Sequence, residues 1–341
     1  MTTPTSMMAL QIDAYQEMLS FKYVKKAIPS LNENEVLIKI KNAPVNPSDL
    51  AFVTGNYGFT KPLPVVPGME GCGEVIAAGN HEHAQALLGK RVACFAGEGD
   101  GTWAEYMVAS PYQCIPLMDH VPDKYGAMLM VNPLTAIALI EEVKRSPSKA
   151  FIQNAAGSAL CHMIRKLAEA EGLTPINIVR QRRQAKEMVK SGLTYSLNSS
   201  AKDFDEQLKA VCDELKPRVF LDAVSGEATG QILSHMPEAS SVVLYGGLSG
   251  EKPDVSIEHL IFKDHSIRVF WLAHYLKNTP IEQLTELGQR AQQLMTEDLD
   301  IKIQSQPKLE YAAHSIASYA GNMSRGKVLI TPHQEPQKET A

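Results

Sequence analysis

The chain has 341 residues, of which 44% are hydrophobic and 21% are charged. It is therefore long enough for two hydrophobic cores, and this composition excludes a largely disordered protein. The formal net charge of -5 argues against a nucleic-acid partner. No apolar run reaches the roughly 18–20 residues that span a bilayer, so we expect no membrane partner.

Two further features concern the cellular compartment. Residues 1–8 lack the basic and apolar regions of a signal peptide and the arginines of a transit peptide, so we expect a cytoplasmic protein. The five cysteines are widely spaced and form no CxxC pair. This spacing indicates reduced, mostly buried thiols rather than a disulfide or metal framework.

The first third of the chain has the pattern of β-structure. Short apolar and β-branched runs are separated by glycine and proline, and they lie at residues 8–12, 36–43, 73–78, 91–95 and 103–108. This spacing leaves little room for crossover helices. It predicts an antiparallel β-barrel.

The pattern changes near residue 128. Asn132 and Pro133 have the pattern of a helix N-cap followed by proline at the first helical position, and the helix is predicted to run to residue 143. Predicted strands and helices then alternate, with strands at 150–153, 176–179, 219–223 and 241–245 and helices at 158–170 and 185–191. This alternation predicts βαβ units and a parallel sheet.

The last part of the chain is helical and polar after about residue 270. Apolar residues recur at helical spacing between Ile281 and Leu294, and terminal strands are predicted at 301–303 and 327–330. Residues 333–341 are expected to be disordered. We therefore predict a nucleotide-binding domain of residues 128–274, inserted in an outer domain formed by residues 1–127 and 275–341.

A candidate phosphate-binding turn follows the strand at 150–153. The segment from Asn154 to Cys161 is rich in small residues and leads into a helix. Small residues permit a tight turn and close approach to a pyrophosphate, and the helix N-terminus supplies N–H donors. Gly157 and Ser158 are therefore candidate cofactor-binding residues. The strict glycine fingerprint is absent, and a plain strand-to-helix turn is the alternative.

Three arginines follow the second predicted strand of this domain, namely Arg180, Arg182 and Arg183. An NAD site places an acidic residue here to bind the ribose 2′-OH, whereas a guanidinium suits a 2′-phosphate. This substitution favours NADPH over NADH. A solvated basic helix start is the alternative.

Several short motifs, in this order and spacing, resemble those of the medium-chain dehydrogenase/reductase superfamily, over about residues 8–332. The motifs are Asn46-Pro47-Ser48-Asp49, Gly55-Asn56-Tyr57-Gly58, Pro67-Gly68-Met69-Glu70-Gly71, Gly101-Thr102-Trp103-Ala104-Glu105-Tyr106, Asn132-Pro133-Leu134-Thr135-Ala136 and Gly326-Lys327-Val328. The chain is most similar to the zinc-free branch that contains quinone oxidoreductases and 2-enoyl thioester reductases.

This resemblance implies an α/β fold, in which a Rossmann doubly wound parallel sheet is inserted in a GroES-like β-barrel domain. It also implies a homodimer that pairs through the last Rossmann strands, here residues 268–272, since such an edge would otherwise be exposed.

The resemblance also addresses metal binding. Zinc-dependent relatives place a cysteine within the segment that is here Pro47-Ser48-Asp49, and a histidine at the position of Met69. A thioether is a poor zinc ligand, so we expect no metal. His81 and His83 form a pair in a polar stretch without a nearby cysteine, and an exposed loop is the expected structure.

Reduction without a metal requires hydrogen-bond donors and a proton. Hydride transfer to the β-carbon of an enone or enoyl thioester produces an enolate-like species. Tyr57 is the candidate proton donor, because it falls where thioester-reducing relatives carry a catalytic tyrosine and a phenol with a pKa near ~10 is protonated at neutral pH. Asn46 is the second candidate, as a donor near the nicotinamide. The alternatives are a tyrosine that covers a loop and an asparagine that serves as a turn residue.

The resemblance implies further residues around NADPH. Thr135, Ser158, Arg180, Gly246 and Gly247 match positions that line the cofactor in relatives. Three more residues are predicted to contact the cofactor: Tyr245, Phe270 and Lys327. Tyr245 directly precedes the glycine pair, and Lys327 belongs to the terminal motif.

Trp271 adjoins Phe270, and the two are predicted to wall the nicotinamide pocket, with a core or dimer role as the alternative. Cys161 stands where relatives usually have glycine. Its thiol, near a helix N-terminus, is either an oxidisable group of lowered pKa or a buried inert one.

The sequence thus predicts an NADPH-dependent reductase that acts on the activated C=C bond of a small-molecule substrate. An NADPH:quinone reductase is the first alternative. A non-catalytic NADPH-binding sensor or interaction protein is the second.

Overall fold

The computed structural model describes residues 4–295, 299 and 301–333, and the statements below refer to these residues. Among them, no helix combines the length and hydrophobicity needed to cross a bilayer. The chain forms two compact units, Met1–Pro133 with Gly288–Ala341 and Leu134–Leu287. We call them the barrel unit and the Rossmann unit. Both boundaries fall later than the predicted ones, and each lies within or beside a helix.

The barrel unit begins with two paired antiparallel strands, β1 (Ser6–Gln11) and β2 (Lys22–Ala27). Five more strands and three short helices follow: β3 (Val36–Pro44), α1 (Pro47–Val53), β4 (Glu70–Ala78), α2 (Glu82–Gln85), β5 (Arg91–Phe95), β6 (Tyr106–Ala109), β7 (Cys114–Pro116) and α3 (Asp123–Gly126). Strand β3 is central and pairs antiparallel with both β4 and β6.

Close packing between β3 and β4 depends on a glycine. A Cβ atom on Gly73 would lie 2.1 Å from the carbonyl oxygen of Lys39 on the neighbouring strand. The core next to these strands includes the fully buried Ile38, Met107 and Trp103. Burial of such large apolar side chains is the main stabilising contribution in a unit of this kind.

The Rossmann unit alternates helices and strands. Its elements are α4 (Asn132–Lys144), β8 (Ala150–Gln153), α5 (Ala159–Ala170), β9 (Thr174–Val179), α6 (Arg182–Lys190), β10 (Ser196–Asn198), α7 (Phe204–Leu215), β11 (Val219–Asp222), α8 (Glu227–Ser234), β12 (Ser241–Leu244), α9 (Ile257–Phe262), β13 (Ser266–Val269), α10 (Leu272–Lys277) and α11 (Ile281–Leu294). Helix α4 begins at the end of the barrel unit, and α11 runs back into it.

The six strands of the Rossmann unit form one parallel sheet in the order β10-β9-β8-β11-β12-β13. Strands β8 and β11 are buried throughout, as expected for a sheet with helices on both faces. The chain order reverses between β8 and β11. Ligands of doubly wound sheets bind at this switch point, outside the carboxyl ends of the strands.

The end of the chain completes the barrel unit with β14 (Ile303–Ser305), α12 (Ala312–Gly321) and β15 (Lys327–Ile330). Strand β15 pairs antiparallel with β3 and parallel with β14. Both ends of the chain therefore contribute to one unit. A doubly wound parallel sheet inserted in a mostly antiparallel β-unit agrees with the predicted fold.

The predicted dimer strand at residues 268–272 is wrong in its bounds. Strand β13 ends at Val269, and α10 already begins at Leu272. The N–H of Phe270 makes the last backbone hydrogen bond to β12, at Leu244, because β12 ends there. The predicted disorder of residues 333–341 falls, apart from His333, outside the described residues.

Candidate active and cofactor-binding sites

The predicted phosphate-binding turn joins β8 to α5 at the carboxyl edge of the Rossmann sheet. Ser158 is the N-cap of α5, and its hydroxyl oxygen accepts a hydrogen bond from the N–H of Cys161 at 3.2 Å. Ala155 adopts a left-handed backbone with φ of 47°, which non-glycine residues rarely do. A Cβ on Gly157 would lie 3.0 Å from the side-chain amide of Gln184. The tight turn sets the helix N-terminus directly after the strand, which is the arrangement that binds dinucleotide phosphates.

A buried polar network at the switch point was not predicted. The side chain of Asn154 donates to Asp222 at 2.5 Å and accepts from the N–H of Ala223 at 2.8 Å. Asp222 also accepts from the N–H of Ser225 at 3.0 Å and from the hydroxyl of Thr229 at 2.6 Å. These bonds tie the carboxyl ends of β8 and β11 together. The sequence does contain a signal for this network, because Asn154 directly follows the buried strand β8 and Asp222 ends the buried strand β11.

Cys161 fills the space beneath the turn. Its side chain is buried, its thiol donates to the carbonyl of Asn154 at 3.4 Å, and its sulfur lies 3.7 Å from the hydroxyl of Tyr245. Burial raises the pKa of the Cys161 thiol, and burial also raises that of the Tyr245 phenol well above its usual range. Of the two alternatives for Cys161, the structure supports the buried inert thiol.

The glycine pair after β12 has two different environments. A Cβ on Gly246 would lie 2.7 Å from the carbonyl oxygen of Ala223, so the chain requires glycine there. A Cβ on Gly247 would meet no atom within 4 Å, so this position opens onto free space. The second glycine therefore leaves room for a bound ligand at the sheet edge.

Three other predicted cofactor residues also lie in the Rossmann unit. Thr135 is buried in the first turn of α4. Phe270 follows β13, and its ring centroid lies 5.7 Å from that of Tyr275. Trp271 is the N-cap residue of α10 and is 41% exposed. The roles of Thr135, Phe270 and Trp271 around the cofactor stay predictions.

The three arginines lie at the carboxyl end of β9 and the start of α6, and all are exposed. The side chain of Arg183 lies 3.6 Å from Glu187. Within the described part of the chain, neither Arg180 nor Arg182 has a carboxylate within 4 Å. Their positive charge is therefore available to an anionic ligand.

A second polar group is buried in the barrel unit, around Asn46. The Asn46 side chain donates to Glu70 at 2.7 Å, and its amide oxygen accepts from the ammonium of Lys327. Asp49 accepts from the N–H of Asn46 at 2.7 Å and from that of Met69 at 2.8 Å. We call Asn46, Asp49, Glu70 and Lys327 the buried charge cluster.

The cluster also holds the backbone that precedes α4. The second carboxylate oxygen of Glu70 accepts from the N–H groups of Met130 and Val131, both at 2.9 Å. Burial raises the pKa of Glu70 to about 7 and that of Asp49 to about 6. Burial lowers the pKa of Lys327, and the two carboxylates oppose this effect. Opposite charges thus compensate one another away from water.

Two predicted site residues, Asn46 and Lys327, therefore lie together in this cluster. Both ends of the Asn46 amide have partners within the barrel unit, and Asn46 is only 1% exposed. A role for Asn46 near the nicotinamide and a cofactor role for Lys327 stay predictions. Glu70 and Asp49 were not predicted as members of one cluster, although they stand in the Asn46 and Gly68 motifs.

Tyr57 lies outside the buried charge cluster, in the loop after α1. Its ring packs edge-on against Phe59, with a centroid distance of 5.1 Å. Phe59 in turn packs on Phe52 at 5.9 Å, and Phe52 packs on Tyr15 at 5.6 Å. Tyr57 is half-buried on the rim of this aromatic group. The structure supports its ring by packing, whereas its role as a proton donor stays a prediction.

Gly68 and Met69 belong to the motif from which the absence of a metal ion is predicted. Gly68 has φ of 97°, and a Cβ there would lie 2.5 Å from Thr102 and Trp103 side-chain atoms. Met69 is buried. Among the residues that the structure describes, no group of three or more His, Cys, Asp or Glu side chains is arranged to hold a metal ion.

Comparisons with known families and proteins agree with this architecture. The alcohol dehydrogenase GroES-like domain matches residues 32–119, and the zinc-binding dehydrogenase family matches residues 159–290. The mitochondrial enoyl-[acyl-carrier-protein] reductase of Rattus norvegicus is 32% identical over 76% of this chain and 70% of its own length.

Solved structures give the same result. A Mesorhizobium loti protein assigned as an NADPH:quinone reductase is 35% identical, with a TM-score of 0.88 over 97% of this chain and 100% of that one. The complex of Etr1p with NADP and crotonyl-CoA has a TM-score of 0.79 over 96% of this chain and 99% of that one. At 23% identity it is similar in fold.

The two units and their sites define an oxidoreductase with a Rossmann unit inserted in a GroES-like unit. The chain belongs to the medium-chain dehydrogenase/reductase superfamily. The family and the fold class predicted from the sequence are confirmed.

Proposed function

We propose that this protein is an NADPH-dependent reductase that transfers hydride to the activated C=C bond of a 2-enoyl thioester or an enone, without a metal ion. The observation that carries the proposal is the exposed pair Arg180 and Arg182 beside the switch point, in a chain related to enoyl-[acyl-carrier-protein] reductases; no carboxylate of the described residues lies within 4 Å of either guanidinium. Guanidinium groups at this position suit the 2′-phosphate that distinguishes NADPH from NADH.

The residues of the Rossmann unit would hold the cofactor. The N-terminus of α5 and the turn at Gly157 and Ser158 would bind the pyrophosphate, and Arg180 and Arg182 the 2′-phosphate. Gly247 opens onto free space at the same sheet edge. When bound, NADPH supplies the hydride that forms the new C–H bond at the β-carbon.

The barrel unit would supply the proton. As hydride reaches the β-carbon, electrons of the C=C bond move toward the carbonyl oxygen, and the α-carbon then requires a proton. In this proposal the Tyr57 phenol donates that proton and regains one from solvent. The edge-on contact with Phe59 orients the ring.

The proposal that no metal ion takes part rests on the side chains near Met69 that could act as metal ligands. The Asp49 carboxylate, which accepts from the N–H of Met69, also accepts from that of Asn46. The ammonium of Lys327 provides the buried cluster with its own cation. We expect the activity to persist after exhaustive treatment with a chelator.

Replacement of Tyr57 by phenylalanine tests the reaction. The Tyr57→Phe change keeps the ring against Phe59 and removes the proton, so kcat/KM for 2-enoyl thioesters should fall about 100-fold or more, the usual size of a general-acid contribution. NADPH oxidation is followed by absorbance, and the dissociation constant of NADPH should not change. The matched control is Tyr112→Phe, which alters a tyrosine that is 63% exposed in the same unit. Undiminished thioester turnover in Tyr57→Phe would contradict the assignment.

Quinone reduction is the second candidate, favoured by the 35% identity to the Mesorhizobium loti protein. A quinone needs no proton at carbon, so its turnover should survive the Tyr57→Phe change. Binding of NADPH without oxidation by any acceptor would instead support the sensor alternative.

We also propose a homodimer that pairs through β13. All four residues of this edge strand are exposed, and Val269 is 81% exposed. Helix α9 beside it exposes Ile257, Ile261 and Phe262. An unpaired edge with apolar side chains is normally covered by another chain, and a second copy would pair it symmetrically. The cytoplasmic location stays a prediction from the sequence.

A further inference from the structure

A narrow cleft in the barrel unit lies next to Tyr57 but is not part of the proposed proton transfer. Its lining is mainly apolar and consists of Phe52, Phe59, Lys61, Val66, Pro67, Gly68, Met69 and Ala96. Phe59, which supports the Tyr57 ring, forms one wall. The enclosed space suits one compact group of about the size of a water molecule.

Among the described residues that line the cleft, Lys61 alone is charged. Its ammonium nitrogen donates to the carbonyl of Gly99 at 2.8 Å and lies 5.8 Å from the ring centroid of Phe52. Both partners are weak compensation for a cation, because neither carries a formal charge. Burial lowers the pKa of Lys61 to about 8, so the ammonium form still predominates at neutral pH.

The nearest acidic group is already engaged by other donors. Asp100 acts on Lys61 only at longer range, since no carboxylate of the described residues lies within 4 Å of the Lys61 ammonium. The Asp100 carboxylate instead forms an ion pair with Lys26 at 2.7 Å and accepts from the N–H of Val66 at 3.0 Å. Lys61 therefore presents a partly desolvated positive charge to an apolar cleft.

We propose that Lys61 is a specificity-determining residue that binds a carboxylate group of the substrate in this cleft. The inference rests on the proposed reductase function and deepens it: the preferred acceptor is an activated alkene that carries a carboxylate. One carboxylate oxygen is about the size of a water molecule and would occupy the cleft, with the rest of the group at its open side; it would give the ammonium a charged partner that none of the described residues provides within 4 Å.

The test compares two acceptors that differ only in charge, benzylideneacetone and its para-carboxy derivative. In the Lys61→Gln variant, KM for the carboxylate acceptor should rise about 10-fold or more, the effect of losing a charge-assisted hydrogen bond, with kcat little changed. The KM for the neutral acceptor should stay within about twofold. Lys61→Arg keeps the charge and should restore most of the discrimination.

The matched control is Lys124→Gln. Lys124 also lies over an aromatic ring, 4.7 Å from the centroid of Tyr125, but it is exposed and does not line the cleft. This variant should discriminate between the two acceptors as the wild type does. A similar loss for both acceptors in Lys61→Gln, or none for the carboxylate, overturns the proposal.

Direct binding separates this proposal from the proposed function. The saturated para-carboxy ketone is titrated into wild type and Lys61→Gln by calorimetry, with NADP present and without turnover. Weaker binding to the variant supports the carboxylate site even if neither acceptor is reduced, an outcome that would refute the reductase proposal alone. Equal binding to both proteins overturns the carboxylate site.

Discussion

At the scale of single residues, the buried charge cluster joins side chains from three elements. Asp49 lies on α1, Glu70 on β4 and Lys327 on β15, and Asn46 connects them. One ammonium cannot fully compensate two buried carboxylates, which is why burial raises the pKa of both acids. The buried charge cluster therefore holds a proton near neutral pH.

This proton makes the stability of the protein depend on pH. The pKa of Glu70 is about 7 in the folded state, compared with an ordinary value of 4.5. Protonated Glu70 therefore contributes fully to the free energy of unfolding below about pH 4, and this contribution is lost as the pH rises through 7. Asp49 acts in the same direction, up to about pH 6. The Glu70→Gln variant cannot ionise at this position.

We therefore expect wild type to lose up to ~3 kcal/mol of unfolding free energy relative to Glu70→Gln between pH 5 and pH 8, at about 1.4 kcal/mol for each unit of pKa shift. Denaturant unfolding at a series of pH values measures the difference. Glu74→Gln, on the exposed side of the same strand, is the control and should follow wild type. Parallel pH profiles for wild type and Glu70→Gln would show that Glu70 does not titrate in this range.

At the scale of elements, the ends of the Rossmann strands determine which side chains meet at the switch point. Strand β9 is next to β8, so the arginines that follow β9 reach the same sheet edge as the turn that follows β8. Asn154 and Asp222 fix the ends of β8 and β11 on the other side. In the proposed function, the preference for NADPH over NADH therefore depends on the β9–α6 connection.

Removal of one arginine should change this preference. Arg180→Ala is expected to raise the dissociation constant of NADPH about 10-fold and to leave that of NADH nearly unchanged, since only NADPH carries the 2′-phosphate. Nicotinamide fluorescence titrations measure both constants. Lys190→Ala, at the far end of α6, is the matched control and should bind both cofactors normally. If the variant bound NADPH and NADH more weakly by the same factor, Arg180 would contact a part of the cofactor that the two molecules share.

At the scale of the whole molecule, the chain leaves the barrel unit after β7 and α3 and returns to it through α11. Strand β13 is the last strand of the Rossmann unit in chain order and forms one edge of its sheet. Its outer edge has no pairing strand within the described residues. Assembly with a second copy would cover this edge.

A charged residue in β13 should therefore disrupt the dimer. Val269→Lys places an ammonium in the strand that two copies would pair, and edge lysines oppose strand addition. We expect wild type to sediment as a dimer and this variant as a monomer at micromolar concentration. Leu88→Lys, an exposed leucine in the barrel unit, should remain dimeric. A wild-type protein that sediments as a monomer would refute the proposed assembly.

Local patterns in the sequence were sufficient for the fold class and for many elements. Strands β5, β8 and β15 have the predicted bounds, because hydrophobic runs and turn residues are local properties of the chain. The order of the short motifs was sufficient for the superfamily. Strand β13 was misjudged, since its end depends on where its neighbour β12 ends.

Only the tertiary structure decided which chemical groups are buried together. Asn46 and Lys327 are 281 positions apart in sequence and yet share a hydrogen bond. Lys61 became a candidate only when the fold enclosed it beside Phe52, and Cys161 is buried beneath the predicted phosphate-binding turn, where burial raises the pKa of its thiol. The physical reason is that periodicity and propensity depend on near neighbours in the chain. Solvation, pKa and charge compensation depend on distant segments that folding brings into contact.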